Sequence, residues 1–522
     1  MRFAVEDTWL TRVHSARIGV WSNMSRLEWL MPRLVFLLVF TMAARVPLDT
    51  DFWWHLRAGE ESWLTLRPVL VDHTSYTRFG EPWINHSWLG QVIIYNVYKI
   101  TGNFGVAGLV AVIAAISMTL VYYQMRGSPI MRSFVIVLAC AVAAPVWSPR
   151  PQIFTLLMLS GLSWLCYSNK WRQEDRMWMI IPLFIIWSNL HGGYIVGFIF
   201  LGLTLAGDVL NNIVGFRDYL EIPWRNIWRT GLWLLAGWAA VIINPNGVLT
   251  WTIPLKTINV GLLRESIDEW ASPDFHELAL QPFIWLLIGV IGAVGFSRRK
   301  LDLVEFLQIA GFGYMALLAK RNFAPFAIVT APIMARFLAE IDLHFLKKKQ
   351  DLSSGLIVKT GGMDQAPKNG YTERKLRLLN IVLLIIVFTA GVMKLIIVTE
   401  AKVVDRLKAE MFPVGAVSWI IKNQPEGRLF NSYNWGGFIS WELREYPVFI
   451  DGRTDLYGEE LLRLYSEISS GSPEWDKKLM KFDVNLVLIE ASSGLARELE
   501  KSSDWFNGYK DEIAVVYIRR ED

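Results

Sequence analysis

The chain has 522 residues, of which 53% are hydrophobic, and a formal net charge of +4 at pH 7. Together with a mean hydropathy of +0.31, this composition excludes an ordinary soluble domain and predicts a membrane protein with several spans and some soluble mass. The small charge and the lack of a long basic block exclude nucleic acid as a partner. The two cysteines, Cys140 and Cys166, lie inside apolar runs, so neither a disulfide framework nor a metal site can be built from them.

Eleven apolar stretches are predicted to cross the membrane, since a spanning helix needs about 20 apolar residues. They are 29–46, 103–123, 131–147, 152–169, 177–190, 193–213, 226–244, 278–297, 301–319, 323–342 and 376–399. The preceding segment, 1–28, lacks the pattern of a cleaved signal peptide, so we expect the first span to be retained.

The segment 86–100, HSWLGQVIIYNVYKI, is predicted to be an amphipathic helix on the membrane surface. As a helix it would reach only about 22 Å, against the roughly 30 Å of the hydrocarbon core. Polar residues such as His86, Gln91 and Asn96 also interrupt its apolar run.

Basic residues near span ends prefer the cytoplasm and therefore predict the topology. With 86–100 on the surface, they fall in alternate loops on one side: Arg26, Arg33, Arg126, Arg132, Lys170, Arg172, Arg176, Arg217, Arg225, Arg229, Arg298, Arg299, Lys300, Lys347, Lys348 and Lys349. The pattern predicts a multi-pass membrane protein whose basic loops face the cytoplasm. The N-terminus would be cytoplasmic, the domain 401–522 extracytoplasmic, and the cytoplasmic linker 343–375 flexible because it contains GGMDQAPKNG.

The other loops then share the outer face, and their polar groups are expected to converge there. These loops are 47–102, SPRPQ at 148–152, NLHGG at 189–193, NPNG at 244–247, 248–277 and KRN at 320–322.

Residues 401–522 are predicted to form a soluble α/β domain, with a parallel sheet because strand and helix patterns alternate. The predicted strands are RLFNSY (428–433), PVFI (447–450), VNLVLI (484–489) and AVVYI (514–518). A short helix, FISWELRE, is predicted after Gly436 and Gly437. The chain has no glycine-rich phosphate-binding motif, so no nucleotide site is indicated.

The first outer loop opens with PLDTDFWWHLRAGEESW, in which Asp49 and Asp51 are two residues apart. Such carboxylates suit a general base or a ligand for a divalent cation. An alternative is that one of them caps a helix beginning near Phe52. The aromatic residues of that helix are predicted to anchor it at the membrane interface.

This arrangement resembles the GT-C superfamily of polytopic glycosyltransferases, which includes protein O-mannosyltransferases, lipid A aminoarabinose transferases and oligosaccharyltransferases. The resemblance covers roughly residues 29–342, although 85–87 are Asn-His-Ser where many members have a double proline. Over most of its length the chain also resembles a group of bacterial membrane proteins with the motifs D-F-W-W-H-L-R-x-G, N-H-x-W-L and V-F-I-D-G-R-x-D-x-Y. That closer resemblance implies a location in a bacterial-type cytoplasmic (inner) membrane and brings no known substrate.

The superfamily resemblance implies inverting transfer of a sugar from a polyprenyl-phosphate donor to an extracytoplasmic glycan, lipid or protein acceptor. Asp51 would be the base or would bind Mg²⁺ or Mn²⁺, and Asp49 is the second candidate for either role. The roles implied for other residues are donor-phosphate binding by Arg57, Arg150, Lys320 and Arg321, and acceptor binding or support by His55, His86, His191 and Asn244. Each of these cations also fits simple anchoring at the interface, and His191 also fits a structural hydrogen bond.

The motif IDGRTDLYG (450–458) follows a predicted strand. Its residues Asp451, Arg453 and Asp455 are either candidate site residues at the end of that strand or a network that closes a turn.

Two other functions compete with transfer: a lipid or solute transporter or flippase, and a non-catalytic assembly protein. Internal repeats and polar residues in mid-span, which are typical of transporters, are not evident.

Overall fold

The computed structural model describes residues 26–214, 222–253, 268–354 and 370–520. Most of the predicted N-terminal segment 1–28 lies outside these ranges. Each of the eleven predicted spans corresponds to a helix. The α-helices of the described residues between 26 and 398 are α1 Arg26–Ala43, α2 Phe52–Thr65, α3 Trp88–Tyr122, α4 Pro129–Ala143, α5 Gln152–Arg172, α6 Ile180–Leu190, α7 Tyr194–Val214, α8 Trp224–Ala240, α9 Gln281–Phe296, α10 Leu303–Leu318, α11 Phe323–Ser354 and α12 Gly370–Val398.

Five helices among the described residues are long and apolar enough to cross a membrane. These are Trp88–Tyr122, Pro129–Val146, Tyr194–Val214, Lys320–Ile341 and Lys375–Val398. Other apolar helices, such as Gln281–Phe296, are shorter. The chain is an integral membrane protein, and the number of crossings stays a prediction.

Helix α3 contains a break at Gly102, whose φ of 59° and ψ of −148° are not helical. Glycine accepts this conformation because it has no Cβ. The break separates the predicted surface helix 86–100 from the predicted span 103–123. The position of the segment 86–100 on a membrane surface stays a prediction.

Both ends of the predicted linker 343–375 are helical, and its flexibility stays a prediction. Helix α11 continues to Ser354 and α12 begins at Gly370. The motif GGMDQAPKNG lies almost wholly outside the described residues.

The C-terminal domain has a mixed sheet, which corrects the prediction of a parallel one. Its elements are α13 Ala401–Met411, α14 Val414–Asn423, β1 Arg428–Asn431, α15 Gly436–Glu442, α16 Thr454–Ser469, α17 Trp475–Met480, β2 Val484–Glu490, α18 Gly494–Lys501, β3 Trp505–Lys510 and β4 Ala514–Arg519. The strand order is β1-β2-β4-β3. Strands β1 and β2 are parallel, and the other two pairs are antiparallel.

The predicted strand PVFI is not part of this sheet. Val448 instead donates its N–H to the carbonyl of Thr74 at 3.0 Å and accepts from the N–H of Tyr76 at 3.1 Å. Both partners belong to the first outer loop. The segment therefore ties the C-terminal domain to that loop.

The first turns of helix α2 are buried between the bundle and the C-terminal domain, so the prediction of an interfacial helix is wrong there, whereas Trp63 and Leu64 of the same predicted side are exposed. Phe52 and Leu56 are fully buried, and Trp53 is 3% exposed. The ring of Trp53 lies 5.9 Å from that of Phe412 and 5.3 Å from that of Phe438. Such edge-to-face contacts stabilise this interface beyond the burial of area.

A buried ion-pair network joins the same two parts of the chain. Arg453 contacts Asp72 of the first outer loop at 2.7 Å and Asp451 of its own turn at 2.7 Å. Both aspartates are fully buried, and Arg453 is 4% exposed. Arg453 also donates to the hydroxyl of Thr74 at 2.6 Å. The geometry of Asp451 and Arg453 therefore matches the turn-network alternative for this motif.

Replacing Arg453 with Met should destabilise the protein by about 3–5 kcal/mol, because Asp72 and Asp451 would be left buried without a counter-charge. The measurement is denaturant unfolding of the full chain in detergent. A matched control is Arg463→Met, since Arg463 forms an exposed ion pair with Glu459, and this change should have little effect. Equal effects of the two changes would contradict the role given to the network.

Candidate active site

Asp51 and Arg150 form an ion pair at one end of the bundle. Arg150 lies in the turn before α5, between Pro149 and Pro151, whose rings fix the local backbone. Its Nη1 donates to Asp51 Oδ2 at 2.6 Å. The pair joins the start of the first outer loop to the turn SPRPQ, two of the loops that were expected to converge.

The Asp51 side chain does not cap α2, although Asp51 occupies the N-cap position. Its second oxygen, Oδ1, instead accepts from the indole N–H of Trp54 at 3.0 Å. Trp54 and Arg150 therefore fix the orientation of the carboxylate. This is the preorganisation that a reacting group needs.

Asp49 has a different geometry. Its Oδ1 accepts from the backbone N–H of Asp51 at 2.9 Å, while its Oδ2 lies 3.3 Å from Arg150 Nε. The first contact is a local turn, so Asp49 shapes the backbone that carries Asp51.

Burial raises the pKa of Asp51, and the nearby charge of Asp49 adds to the rise. The guanidinium of Arg150 and the N–H of Trp54 oppose it. The net effect is that the pKa of Asp51 is raised. A carboxylate with a raised pKa is a stronger base than a free one.

Glu269 is a partner that the sequence did not predict. Its carboxylate also binds Arg150, through Nη2, so three carboxylates surround one guanidinium. Glu269 is one of five acids in the predicted outer loop 248–277, and nothing in the sequence distinguishes it from the other four. Residues 254–267 of that loop lie outside the described ranges.

This cluster does not fit the Mg²⁺ or Mn²⁺ site implied for Asp49 and Asp51. The guanidinium of Arg150 lies where a bound cation would have to be, and it satisfies the oxygens that would be ligands. Within the described ranges, no group of three or more His, Cys, Asp or Glu side chains is arranged to hold a metal ion.

If the protein transfers a sugar, as the resemblance implies, we expect transfer to persist in EDTA, because Arg150 supplies the positive charge beside Asp51. The measurement is transfer by the purified protein before and after chelation. Loss of transfer on chelation, with recovery on addition of Mn²⁺ or Mg²⁺, would show that the carboxylates bind metal after all.

The C-terminal domain forms one wall of this cluster through Gly452 and Tyr433. A Cβ at position 452 would lie 2.0 Å from Asp51 Oδ1 and 2.9 Å from Trp54 Nε1. Tyr433 donates to the carbonyl of Gly452 at 3.5 Å. Burial raises the pKa of Tyr433 far above its usual value, and the charge of Asp51 adds to this. The site therefore includes residues that are distant in sequence.

Two predicted histidines lie together on the same face. The rings of His86 and His191 are 5.7 Å apart. Nδ1 of His191 accepts from the N–H of Gly193 at 3.0 Å and contacts the hydroxyl of Thr155 at 2.9 Å. Nδ1 therefore carries no proton in the neutral ring, and the proton is on Nε2.

His55 lies beside Asp51 on α2 and is also buried. Its ring centroid is 3.5 Å from that of Trp54, and its Nδ1 is 3.2 Å from the side-chain nitrogen of Gln91. Burial lowers the pKa of His55, His86 and His191. All three are neutral at pH 7, so they can offer directed N–H groups without adding charge.

Arg321 is a cation without a carboxylate partner among the described residues. Its guanidinium lies 4.1 Å from the centroid of the Trp270 ring. Arg321 is close enough to His86 and His191 to help lower the pKa of each. The adjacent Lys320 is different, since it lies 3.6 Å from Glu277.

The remaining predicted residues are held in structural contacts. Arg57 pairs with Glu60 at 3.3 Å. Asn244 donates to the carbonyl of Ser188 at 2.8 Å and so ties the loop NPNG to the last turn of α6. Asp455 accepts from the indole of Trp83 at 3.2 Å.

Comparison with known proteins gives structural neighbours only. No family model matches the chain, and no curated protein sequence matches it. One neighbour is the archaeal oligosaccharyltransferase AglB from Archaeoglobus fulgidus, solved with an inhibitory peptide and a dolichol-phosphate. It has a TM-score of 0.57 at 10% identity, covering 94% of this chain and 74% of that one.

A second neighbour is ArnT from Cupriavidus metallidurans, solved with undecaprenyl phosphate. The TM-score is 0.50 at 13% identity, and the match covers 94% of this chain and 98% of that one. An apo form of the Archaeoglobus oligosaccharyltransferase gives 0.55 at 11% identity, covering 88% and 69%. At these identities the comparison establishes the fold alone: the chain shares the overall fold of the Archaeoglobus oligosaccharyltransferase and of ArnT.

Proposed function

We propose that the protein is a membrane glycosyltransferase that moves a sugar from a polyprenyl-phosphate donor to an acceptor outside the cytoplasm. The observation that carries this is the Asp51 carboxylate, oriented by Arg150 and Trp54, on the face that also holds Arg321, a cation with no carboxylate partner among the described residues. A base and an available cation on one face are what displacement of a lipid phosphate needs.

In the proposed reaction, Asp51 takes the proton from the acceptor group as that group attacks the anomeric carbon. The bond from this carbon to the phosphate oxygen breaks on the opposite side of the ring. The bonding electrons leave with the phosphate, and the configuration inverts. Asp51 then holds the proton that the acceptor lost.

Arg321 is the residue we assign to the departing phosphate. Its charge is not neutralised by a described carboxylate, and a guanidinium binds phosphate oxygens in a bidentate manner. Arg150 was also a candidate for this role, but its guanidinium is bound by Asp49, Asp51 and Glu269. We therefore assign Arg150 to positioning the base.

The structural neighbours support the donor class. ArnT from Cupriavidus metallidurans was solved with undecaprenyl phosphate and AglB with dolichol-phosphate. The acceptor is assigned only as a glycan, lipid or protein that approaches from the side of the C-terminal domain. The inner-membrane location, with this domain outside, is part of the proposal.

Binding of undecaprenyl phosphate tests the role of Arg321. Arg321→Gln should weaken binding to the purified protein by at least about tenfold, which corresponds to the loss of one charge-assisted contact. Lys320→Gln is the matched control, because its ammonium lies beside Glu277. Equal binding by the wild type and Arg321→Gln would remove the phosphate role from Arg321, and failure of the wild type to bind would remove the donor class.

A further inference from the structure

A polar cavity of about 450 Å³ lies at the other end of the bundle from the Asp51–Arg150 pair. It is lined from α5, α7, α8, α10 and α11, near the ends that point away from the first site. Arg336 of this cavity and Arg321 of the first site are both on the Lys320–Ile341 segment. Fifteen helical residues separate them by about 22 Å, so the two sites are distinct.

Buried ionisable groups line this cavity. Lys170 lies 3.3 Å from Asp302 and 3.6 Å from Asp208. Glu305 is 3.1 Å from Arg336 and is also bound by Arg299 at 2.9 Å. Ionisable residues within membrane helices are costly and usually mark a site for a polar ligand.

Two groups in the cavity are left with unused binding capacity. Arg336 is 8% exposed, and its Nε has no hydrogen-bond partner among the residues that the structure describes. Asp208 is also 8% exposed, and its ion-pair distance to Lys170 is beyond that of a direct hydrogen bond. Arg299 and Arg336 thus share the single carboxylate of Glu305, while Asp208 and Asp302 share the single ammonium of Lys170. Each of these two groups can therefore accept a further partner of opposite charge.

The lining is mixed in charge, and Arg299, which binds Glu305 from beside the cavity, brings the charged groups to four acids and four bases. Its carboxylates and cations are Asp175, Asp208, Asp302 and Glu305 against Lys170, Arg229 and Arg336. This balance disfavours a purely anionic ligand and favours one that carries both charges. Phe200, Val329 and Ile333 supply an apolar wall beside the polar groups.

We propose that the cavity binds the headgroup of an amine-bearing phospholipid, with phosphate at Arg336 and the ammonium at Asp208. The volume falls within the range of small-molecule sites. A lipid is favoured over a soluble source because the cavity lies at helix ends, where Trp171 packs against Lys170, Arg299 and Arg336, as is typical of a membrane interface.

Lipid retention by the purified full chain tests this proposal. The protein would be placed in phosphatidylcholine nanodiscs containing phosphatidylethanolamine or phosphatidylglycerol, and bound lipid would be counted by native mass spectrometry. We expect phosphatidylethanolamine to be held at least about tenfold more tightly than either other lipid. Displacement by soluble glycerophosphoethanolamine would further support recognition through the headgroup.

Two variants test the assigned contacts. Asp208→Asn should abolish the preference for phosphatidylethanolamine, and Arg336→Lys, which keeps a partner for Glu305, should weaken it. Glu459→Gln, a change at an exposed pair in the C-terminal domain, should leave it unchanged. Equal retention of the three lipids, a preference for phosphatidylglycerol, or an unchanged preference in Asp208→Asn would overturn the proposal.

Discussion

Replacing Asp51 with Asn is expected to reduce glycosyl transfer by about 10²–10⁴-fold, the range attributed to general-base catalysis. Asparagine keeps the shape of the side chain and an oxygen that can accept from Trp54 or Arg150. It cannot take a proton from the acceptor. Because Asp49 and Glu269 still neutralise Arg150, the site should remain assembled.

The measurement is transfer from labelled lipid-linked sugar in membranes, together with denaturant unfolding of each variant. Asp49→Asn is the matched control, since it removes a neighbouring carboxylate that binds the same guanidinium. We expect Asp49→Asn to lower transfer much less. Full transfer by Asp51→Asn would show that Asp51 is not the base, and equal losses in both variants would point to a shared structural role.

The membrane helices were largely predictable because long apolar runs have few other stable arrangements in a bilayer. The predicted span 193–213 is observed as Tyr194–Val214, and 152–169 as Gln152–Arg172. The convergence of the outer loops was also predictable in outline. It is seen in the contact of Asp51 with Arg150 and in the approach of His86 to His191.

The pairing within the site could not be read from sequence, because it depends on distances across separate loops. Arg150 and Arg321 were equivalent candidates for phosphate binding until three carboxylates were found around one of them. Likewise, aromatic residues of α2 such as Trp53 fit a membrane interface and a protein interior equally well by periodicity. Only the position of the C-terminal domain decides between the two.

The C-terminal sheet was harder to predict than the bundle. Strand β3, Trp505–Lys510, was missed because it contains Gly508 and does not show a clean alternation of apolar residues. A Cβ at Gly508 would lie 2.6 Å from the Trp419 ring. Close packing against α14 therefore explains this glycine, and that contact is visible only in three dimensions.

The C-terminal domain contributes to the site directly, which changes how its motif is understood. In IDGRTDLYG, Asp451 and Arg453 lock the turn to Asp72, while Gly452 between them lies against Asp51. The network holds the turn in place, and the glycine leaves room for the carboxylate. We infer that the domain must be docked for Asp51 to have its reactive orientation.

Gly452→Ala tests this inference. The added Cβ would lie 2.0 Å from Asp51 Oδ1, so the carboxylate or the turn must shift by about an ångström. A displacement of that size in a catalytic group costs about 10²-fold in rate. We expect kcat to fall by this factor while binding of undecaprenyl phosphate, assigned to Arg321, is unchanged.

Gly292→Ala is the matched control, because no atom lies within 4 Å of the Cβ that it would add. Denaturant unfolding separates a shifted carboxylate from an undocked domain, since undocking would also lower stability and expose Trp53 to quenchers. A fall in kcat with unchanged stability supports direct contact with the base. Normal kcat in Gly452→Ala would mean that the turn 450–453 does not form a wall of the working site, and the C-terminal domain would then have to act elsewhere.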